Sequence, residues 1–296
     1  MTVATLAEWV QGARPRTLGA AAAPIFIGTG VAAAEDSLNI GFAVLAFIVM
    51  VAAQVGVNYA NDYSDGVRGT DQARVGPVRL VGQGLAAAPQ VKAAALGALL
   101  LSAVCGLALV GLSGHWWLLL PGGISIAAAW LYTGGPKPYG YLGLGELAVF
   151  IFFGLVPVLG TTYVQTGTFP AGAWLGGIGV GALSCAILVA NNLRDIPTDR
   201  EVGKNTLAVR IGDRNTRMLF VALIIAAFVV VPVMAVPHGL GFTYAWLGLL
   251  AFPLGVPPTL AVLRGVSGRA LVPVLQMTGL LTLAYGLLLG IGTGLS

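Results

Sequence analysis

Nine long apolar stretches dominate the chain, and short polar or Gly/Pro-rich breaks separate them. They cover residues 17–34, 40–60, 92–112, 116–133, 143–164, 172–192, 218–236, 243–263 and 271–292. Each is about long enough to cross the roughly 30 Å of hydrocarbon in a bilayer. A backbone in hydrocarbon must satisfy its own hydrogen bonds, and these stretches are too long and too uniformly apolar for barrel strands. The pattern therefore predicts nine transmembrane helices and an all-α polytopic membrane protein.

Composition agrees with this pattern, because 57% of the 296 residues are hydrophobic and only 9% are charged. Soluble domains carry about a quarter charged residues. The first stretch follows Arg14 and Arg16 without a cleavage pattern suited to a secretory signal, so we count it as a membrane helix. Cys105 and Cys185 stand alone in apolar stretches and indicate helix packing rather than a zinc or disulfide site.

The basic residues all fall on one side of the predicted helices. Connections on that side hold all fifteen Lys and Arg residues of the chain. By the positive-inside rule this side is cytoplasmic. The N-terminus is then predicted inside, the C-terminus outside, and the long loops 61–91 and 193–217 in the cytoplasm of a bacterial cell, with the protein in its cell (inner) membrane.

Carboxylate and amide side chains cluster at the cytoplasmic ends of the second and sixth stretches. The clusters read Asn58-Tyr-Ala-Asn61-Asp62-Tyr-Ser-Asp65 and Asn191-Asn192-Leu-Arg194-Asp195-Ile-Pro-Thr-Asp199. Residues four apart on a helix share a face, so the Asn and Asp side chains of each cluster converge. Their oxygens are hard ligands suited to Mg²⁺, which completes its shell with water and phosphate oxygens. A diphosphate is the ligand that such a site predicts.

Single carboxylates at such positions also cap helices, pair with Arg68 or Arg194, or mark the membrane interface. The recurrence of the cluster four helices later favours the metal hypothesis. It also suggests a four-helix pseudo-repeat, 17–133 and 143–263, with 271–292 added, in a single domain of residues 1–296. Asp199 follows Pro197, so we expect the helix to give way there to a loop that lines a cavity.

The motifs Asn61-Asp62-x-x-Asp65 and Asp195-x-x-x-Asp199, in a nine-span frame, resemble the two aspartate-rich motifs of the UbiA superfamily of intramembrane prenyltransferases. Tyr132-Thr-Gly-Gly-Pro-Lys137-Pro-Tyr139 through Glu146, Arg14-Pro-Arg-Thr-Leu18 and Gly203-Lys204 through Arg210 are similar to the branch of that family that prenylates 1,4-dihydroxy-2-naphthoate in menaquinone synthesis. Gly69 stands where many members have the last Asp of the first motif, and Asp71 lies two residues later.

The resemblance implies Mg²⁺-dependent transfer of a polyprenyl group from polyprenyl diphosphate to 1,4-dihydroxy-2-naphthoate, with loss of carbon dioxide and a proton, giving demethylmenaquinol. The expected metal ligands are Asp62, Asp65, Asp71, Asp195 and Asp199, although Asp62 points about 100° away from Asn61 on a helix. Lys137, Tyr139 and Lys204 are the expected catalytic residues. The expected substrate-binding residues are Asn58, Asn61, Arg68, Arg79, Tyr132, Glu146, Asn191 and Arg210.

Two alternatives stay open at this point. Another acceptor of the same superfamily, 4-hydroxybenzoate or homogentisate, would use the same aspartate motifs. A membrane transporter is the alternative from a different class, since transporters also combine repeats with intramembrane polar groups. The clustering of carboxylates at one face favours an enzyme. The expected partners are the two substrates and membrane lipid, and we expect no nucleic-acid partner.

Overall fold

Eleven α-helices account for most of the computed structural model, which describes residues 4–69, 78–236 and 240–296 and only the backbone of Arg16. No strand occurs within these ranges, which confirms the all-α prediction. The helices are α1 Leu6–Gly12, α2 Leu18–Ala34, α3 Ile40–Arg68, α4 Ala88–Ser113, α5 Leu119–Leu131, α6 Gly145–Phe150, α7 Val156–Thr166, α8 Ala171–Glu201, α9 Leu207–Ala235, α10 Phe252–Leu263 and α11 Leu271–Gly294.

Seven helical segments in the described ranges are long and apolar enough to cross a bilayer. They are α3, α4, α8, α9, Gly145–Thr166, Ala245–Leu263 and Gly268–Gly294. Two shorter apolar helices, Leu18–Ala34 and Trp116–Leu131, lie where the first and fourth predicted stretches fall. The chain is a multi-span membrane protein, while the count of nine crossings stays a prediction.

Three helices extend beyond the ends that the apolar pattern predicts. α3 continues from residue 60 to Arg68, α8 continues to Glu201, and α9 begins at Leu207 and bends at Gly212, whose φ is 80°. The expected end of the helix before Asp199 is wrong, because α8 passes through Pro197 as a helix. A proline removes one backbone bond, and the packing of α8 against α9 outweighs that loss. The motif carboxylates therefore stand on rigid helix rather than on loops.

Small residues bring the central helices into close contact. A Cβ built on Gly290 of α11 would lie 2.4 Å from the carbonyl oxygen of Phe26 on α2, and one on Gly286 would lie 2.5 Å from the Cα of Ala23. No side chain larger than hydrogen fits at either position. Close backbone approach of this kind stabilises helix pairs in lipid, where burial of apolar surface gives little driving force.

A π-helical turn, Ile151–Leu155, joins α6 to α7. Gly154 lies in this turn against α8, where an added Cβ would be 2.5 Å from the Cα of Gly181. The extra residue of a π turn changes the direction in which the neighbouring side chains project from the helix. Phe152 and Phe153 in this turn line the central cavity.

Candidate active site

A cavity of about 1480 Å³ runs between α3, α4, α5, α7 and α8. Asp65 and Ala46, nineteen residues apart on α3, both line it. At 1.5 Å rise per residue the cavity therefore extends about 28 Å along the helix, close to the thickness of the hydrocarbon core. Polar residues gather at the Asp65 end; they include Arg14, Asn58, Asn61, Arg79, Tyr132, Thr133, Tyr139, Tyr141, Asn191, Asn192, Arg194, Asp199 and Lys204.

Aromatic side chains form the wall at the opposite, apolar end. Trp117 and Phe169 line the cavity there. Both rings pack on Tyr163, with ring centroids 5.1 Å and 4.6 Å away. Between the two ends the wall is mainly apolar and includes Phe152 and Phe153, so the cavity has one charged end and a long apolar remainder.

Asp65 on α3 faces the charged end of the cavity and is 2% exposed. One carboxylate oxygen accepts a short hydrogen bond from the hydroxyl of Tyr141, and the other lies 3.2 Å from Nζ of Lys204. Asn61, one turn earlier, also lines the cavity and accepts a 2.7 Å hydrogen bond from the Thr133 hydroxyl. The predicted shared face of Asn61 and Asp65 is therefore directed at one space.

Asp62 lies on a different face of α3. Its carboxylate accepts hydrogen bonds from the backbone N–H groups of Leu80, at 2.7 Å, and Val81, at 3.0 Å. It does not line the cavity. Its carboxylate anchors the turn that follows α3, and its expected metal role stays a prediction. Asp71 lies outside the described residues.

The second cluster divides in a similar way. Asn191 and Asp199 of α8 line the cavity, and Asp199 is 3% exposed. Asp195 receives two 2.7 Å hydrogen bonds from the Arg194 guanidinium, which also donates to Asn191 at 2.8 Å. Asp195 does not line the cavity; it forms a buried ion pair with Arg194, whose guanidinium also holds the Asn191 side chain. The expected metal role of Asp195 stays a prediction.

Lys204 enters the cavity because the chain reverses directly after α8. Gly203 adopts a left-handed conformation, with φ of 72°, that residues with a Cβ rarely take. The Lys204 backbone then donates to the carbonyl of Asp199 at 2.8 Å, and its Nζ lies 4.3 Å from the ring centroid of Tyr141. Lys204 is 4% exposed, so its charge is directed at the cavity rather than at bulk water.

Tyr132 and Tyr139 form an edge-to-face pair on the cavity wall, with ring centroids 5.5 Å apart. The Tyr139 hydroxyl donates a 2.8 Å hydrogen bond to the carbonyl of Ala128. Burial raises the pKa of Tyr139 to about 12. This phenol is therefore neutral at physiological pH and contributes a ring face and a fixed hydrogen bond.

Two further predicted substrate-binding residues line the charged end. Arg79, in the turn anchored by Asp62, is 7% exposed. Asn58 on α3 donates a 2.9 Å hydrogen bond to the carbonyl of Ala13. These contacts join the N-terminal segment and the turn after α3 to the same space.

Three predicted basic site residues lie outside the cavity wall. Lys137 is exposed. Arg68 is also exposed, and it donates to the backbone carbonyls of Thr133 and Gly135. The exposed Arg210 donates to the carbonyl of Asn205 at 3.2 Å. Arg68 and Arg210 thus stabilise the polypeptide around the cavity mouth, whereas Lys204 and Arg79 face its interior.

Glu146 supports a cavity residue that the sequence reasoning did not select. It lies behind the wall and accepts a 2.9 Å hydrogen bond from the side chain of Asn192, which lines the cavity and is 6% exposed. A polar residue next to Asn191 at the end of an apolar helix was a usable signal. Thr133, which contacts Asn61, was missed because nothing in a loop sequence predicts its partner.

The donor set fits a divalent cation that is completed by a diphosphate. Within the described ranges no group of three or more His, Cys, Asp or Glu side chains forms a metal cage. Mg²⁺ usually takes one or two carboxylates and leaves its other positions to water and substrate phosphate. Asp65 and Asp199, with the amides of Asn61 and Asn191, provide such oxygens around one space, and Lys204 and Arg79 add positive charge.

Comparisons with known proteins show similar sequences and a similar fold. The model of the UbiA prenyltransferase family matches residues 21–270. A 1,4-dihydroxy-2-naphthoate octaprenyltransferase of Mycobacterium tuberculosis is 52% identical over 288 residues, which cover 96% of each chain. A solved UbiA homologue from Aeropyrum pernix K1 has a TM-score of 0.68 at 17% identity, over 92% of this chain and 96% of that one. A UbiA homologue from Archaeoglobus fulgidus bound to DMAPP and Mg²⁺ has a TM-score of 0.61 at 13% identity, over 94% and 97%.

Proposed function

The chain belongs to the UbiA prenyltransferase family, and we propose that it transfers a polyprenyl group from polyprenyl diphosphate to 1,4-dihydroxy-2-naphthoate. The products would be demethylmenaquinol, carbon dioxide and diphosphate. The observation that carries the proposal is a continuous cavity with a charged end and a long apolar remainder. The similar mycobacterial protein, named for the naphthoate acceptor, supports the choice of acceptor.

The charged end would hold the diphosphate. Asp65 and Asp199, with Asn61 and Asn191, would hold Mg²⁺, which when bound neutralises charge on the departing diphosphate. Lys204 and Arg79 add cationic groups to the same end. Because these groups are buried and already positioned, they stabilise the charge that develops as the allylic carbon–oxygen bond breaks.

Three contacts keep Lys204 in position for this role. The Asp65 carboxylate holds its Nζ at 3.2 Å, the Tyr141 ring lies beneath it, and the Asp199 carbonyl fixes its backbone. The Tyr141 hydroxyl in turn orients Asp65. Lys204 thereby connects the two aspartate motifs, through its side chain to Asp65 and through its backbone to Asp199.

The apolar remainder would hold the prenyl chain and exclude water from the reacting carbon. Its wall is mainly apolar, and the neutral ring of Tyr139 and its partner Tyr132 lie on the wall at the charged end. Aromatic faces stabilise positive charge. The electron-rich ring of the acceptor attacks the allylic carbon, the carboxylate leaves as carbon dioxide, and the naphthalene ring recovers its aromaticity.

The polar end is further proposed to face the cytoplasm of a bacterial cell, with the protein in the cell membrane. The distribution of the fifteen basic residues supports this orientation. A soluble cytoplasmic diphosphate headgroup would then reach Asp65 and Asp199 directly, while its chain enters the bilayer.

Mass spectrometry of the purified protein tests the proposal. The protein in lipid nanodiscs receives one polyprenyl diphosphate, Mg²⁺ and either carboxyl-¹³C-labelled 1,4-dihydroxy-2-naphthoate, 4-hydroxybenzoate or homogentisate. The proposal expects a prenylated product and ¹³CO₂ with the naphthoate only. Efficient prenylation of another acid, with the naphthoate ignored, would place the chain in another branch of the family, and no covalent product with any acid would contradict the enzymatic assignment.

A further inference from the structure

One face of the helix α11 borders the charged end of the cavity. Arg269, in the 3₁₀ turn just before α11, lines the cavity together with Val272, Leu275 and Gln276. Spacings of three and seven residues place side chains on one face of a helix. This face therefore presents a guanidinium at the mouth and an amide about 10 Å deeper, at 1.5 Å per residue.

Within the described ranges, the structure records no contact by which the polar side chains of this face, those of Arg269 and Gln276, stabilise the fold. Among the described residues, no hydrogen bond or ion pair engages the side chain of Arg269 or Gln276. By contrast, Lys204 is paired with Asp65, and Arg194 with Asp195. A polar amide inside a membrane helix is costly when unsatisfied, so a ligand is the expected partner.

α11 lies on a different side of the cavity from the apolar remainder. It packs on α2, α8 and α10, whereas the apolar wall comes mainly from α3, α4, α5 and α7. The hydroxyl of Tyr285 on α11 lies close to Gly179 of α8, so the two helices are in contact. Gln276 of α11 and Leu188 of α8 both line the cavity. The α11 face thus lines the cavity from a different helix than those that form most of the apolar wall.

We infer that this face is the acceptor subsite: Arg269 binds the carboxylate of the aromatic acid, and Gln276 hydrogen-bonds a ring hydroxyl. The inference rests on the proposed function, because it assigns residues to that acceptor. A guanidinium matches a carboxylate with two parallel hydrogen bonds. An amide deeper in the wall suits a hydroxyl on the apolar ring, while Val272 and Leu275 offer contact to the ring itself.

Paired variants and ligand fragments test the subsite. Arg269→Gln, Arg269→Lys and Gln276→Leu are compared with Arg264→Gln, an exposed arginine of the same connection that does not line the cavity. The Michaelis constants for naphthoate and for polyprenyl diphosphate are measured separately. Inhibition constants are measured for 2-naphthoate, which has only the carboxylate, and for 1,4-dihydroxynaphthalene, which has only the hydroxyls.

Arg269→Gln should raise the Michaelis constant for the naphthoate about tenfold, the scale of one lost charge-assisted contact at a partly solvated site. It should weaken 2-naphthoate equally and leave the diol and the diphosphate unchanged, with Arg269→Lys intermediate. Gln276→Leu should weaken the diol and spare 2-naphthoate.

Equal behaviour of Arg269→Gln and Arg264→Gln would overturn the subsite while leaving the proposed function intact. A parallel loss of diphosphate affinity in Arg269→Gln would also overturn it, because Arg269 would then bind phosphate. Failure of the unaltered protein to prenylate the naphthoate would instead overturn the proposed function itself.

Discussion

Replacing Asp62 with Asn should destabilise the turn after α3 without removing a metal ligand. The Asp62 side chain is 1% exposed and accepts from two backbone N–H groups, those of Leu80 and Val81. An Asn keeps one carbonyl oxygen for one of these donors and turns an N–H₂ group toward the other. Hydrogen bonds to charged groups contribute about 1.5–3 kcal/mol each, so the change should cost about 2–3 kcal/mol.

Thermal unfolding and hydrogen exchange measure this effect. At roughly 2–4 °C per kcal/mol, a cost of about 2–3 kcal/mol should lower the midpoint of the detergent-solubilised protein by about 4–12 °C at a fixed scan rate. Amides of residues 78–86 should exchange faster than in the parent protein. Asp36→Asn is the matched control, because Asp36 is exposed and its left-handed backbone suits Asn. An unchanged midpoint together with a raised Mg²⁺ requirement would refute the reasoning and return Asp62 to the metal site.

Three further predictions follow from the same geometry. Lys204→Met should lower turnover about 10²–10³-fold, the scale of a lost electrostatic stabiliser, and added Mg²⁺ should not restore it; near-normal turnover would remove Lys204 from the site. In a variant without Cys105 and Cys185, single cysteines at the exposed positions Gln83 and Val202 should resist an impermeant thiol label added outside intact cells. A cysteine at Thr168 should react with the same label, and the reverse pattern would show that the orientation is inverted. Because the pKa of Tyr139 is raised to about 12, its neutral form stabilises the fold below about pH 10, and this contribution is lost as pH rises from 10 to 12. Tyr139→Phe should therefore flatten the curve of unfolding free energy against pH between pH 10 and 12. An unchanged curve in this variant would contradict the raised pKa.

Apolar periodicity predicted the helical class and the polar ends of α3 and α8, because both depend on local composition. It predicted that α3 and α8 end earlier than they do, because the polar residues of the motifs are typical of loops when their tertiary partners are unknown. The opposite roles of Asp62 and Asp65 depend on residues far along the chain, the turn at Leu80 and the lysine at Lys204. Lys137 and Lys204 look alike as loop lysines, and only the reversal at Gly203 buries one of them.

A magnesium titration of turnover in Asp65→Asn and Asp199→Asn is the most direct test of the central claim that both helix ends hold one Mg²⁺–diphosphate. Each Asn keeps the volume and one oxygen but removes the negative charge that attracts the cation. At limiting Mg²⁺ each variant should be about 10²–10³-fold slower than the parent and partly recover as Mg²⁺ rises. Folded variants that keep near-normal rates at limiting Mg²⁺ would show that these carboxylates do not bind the metal, and the account would fail.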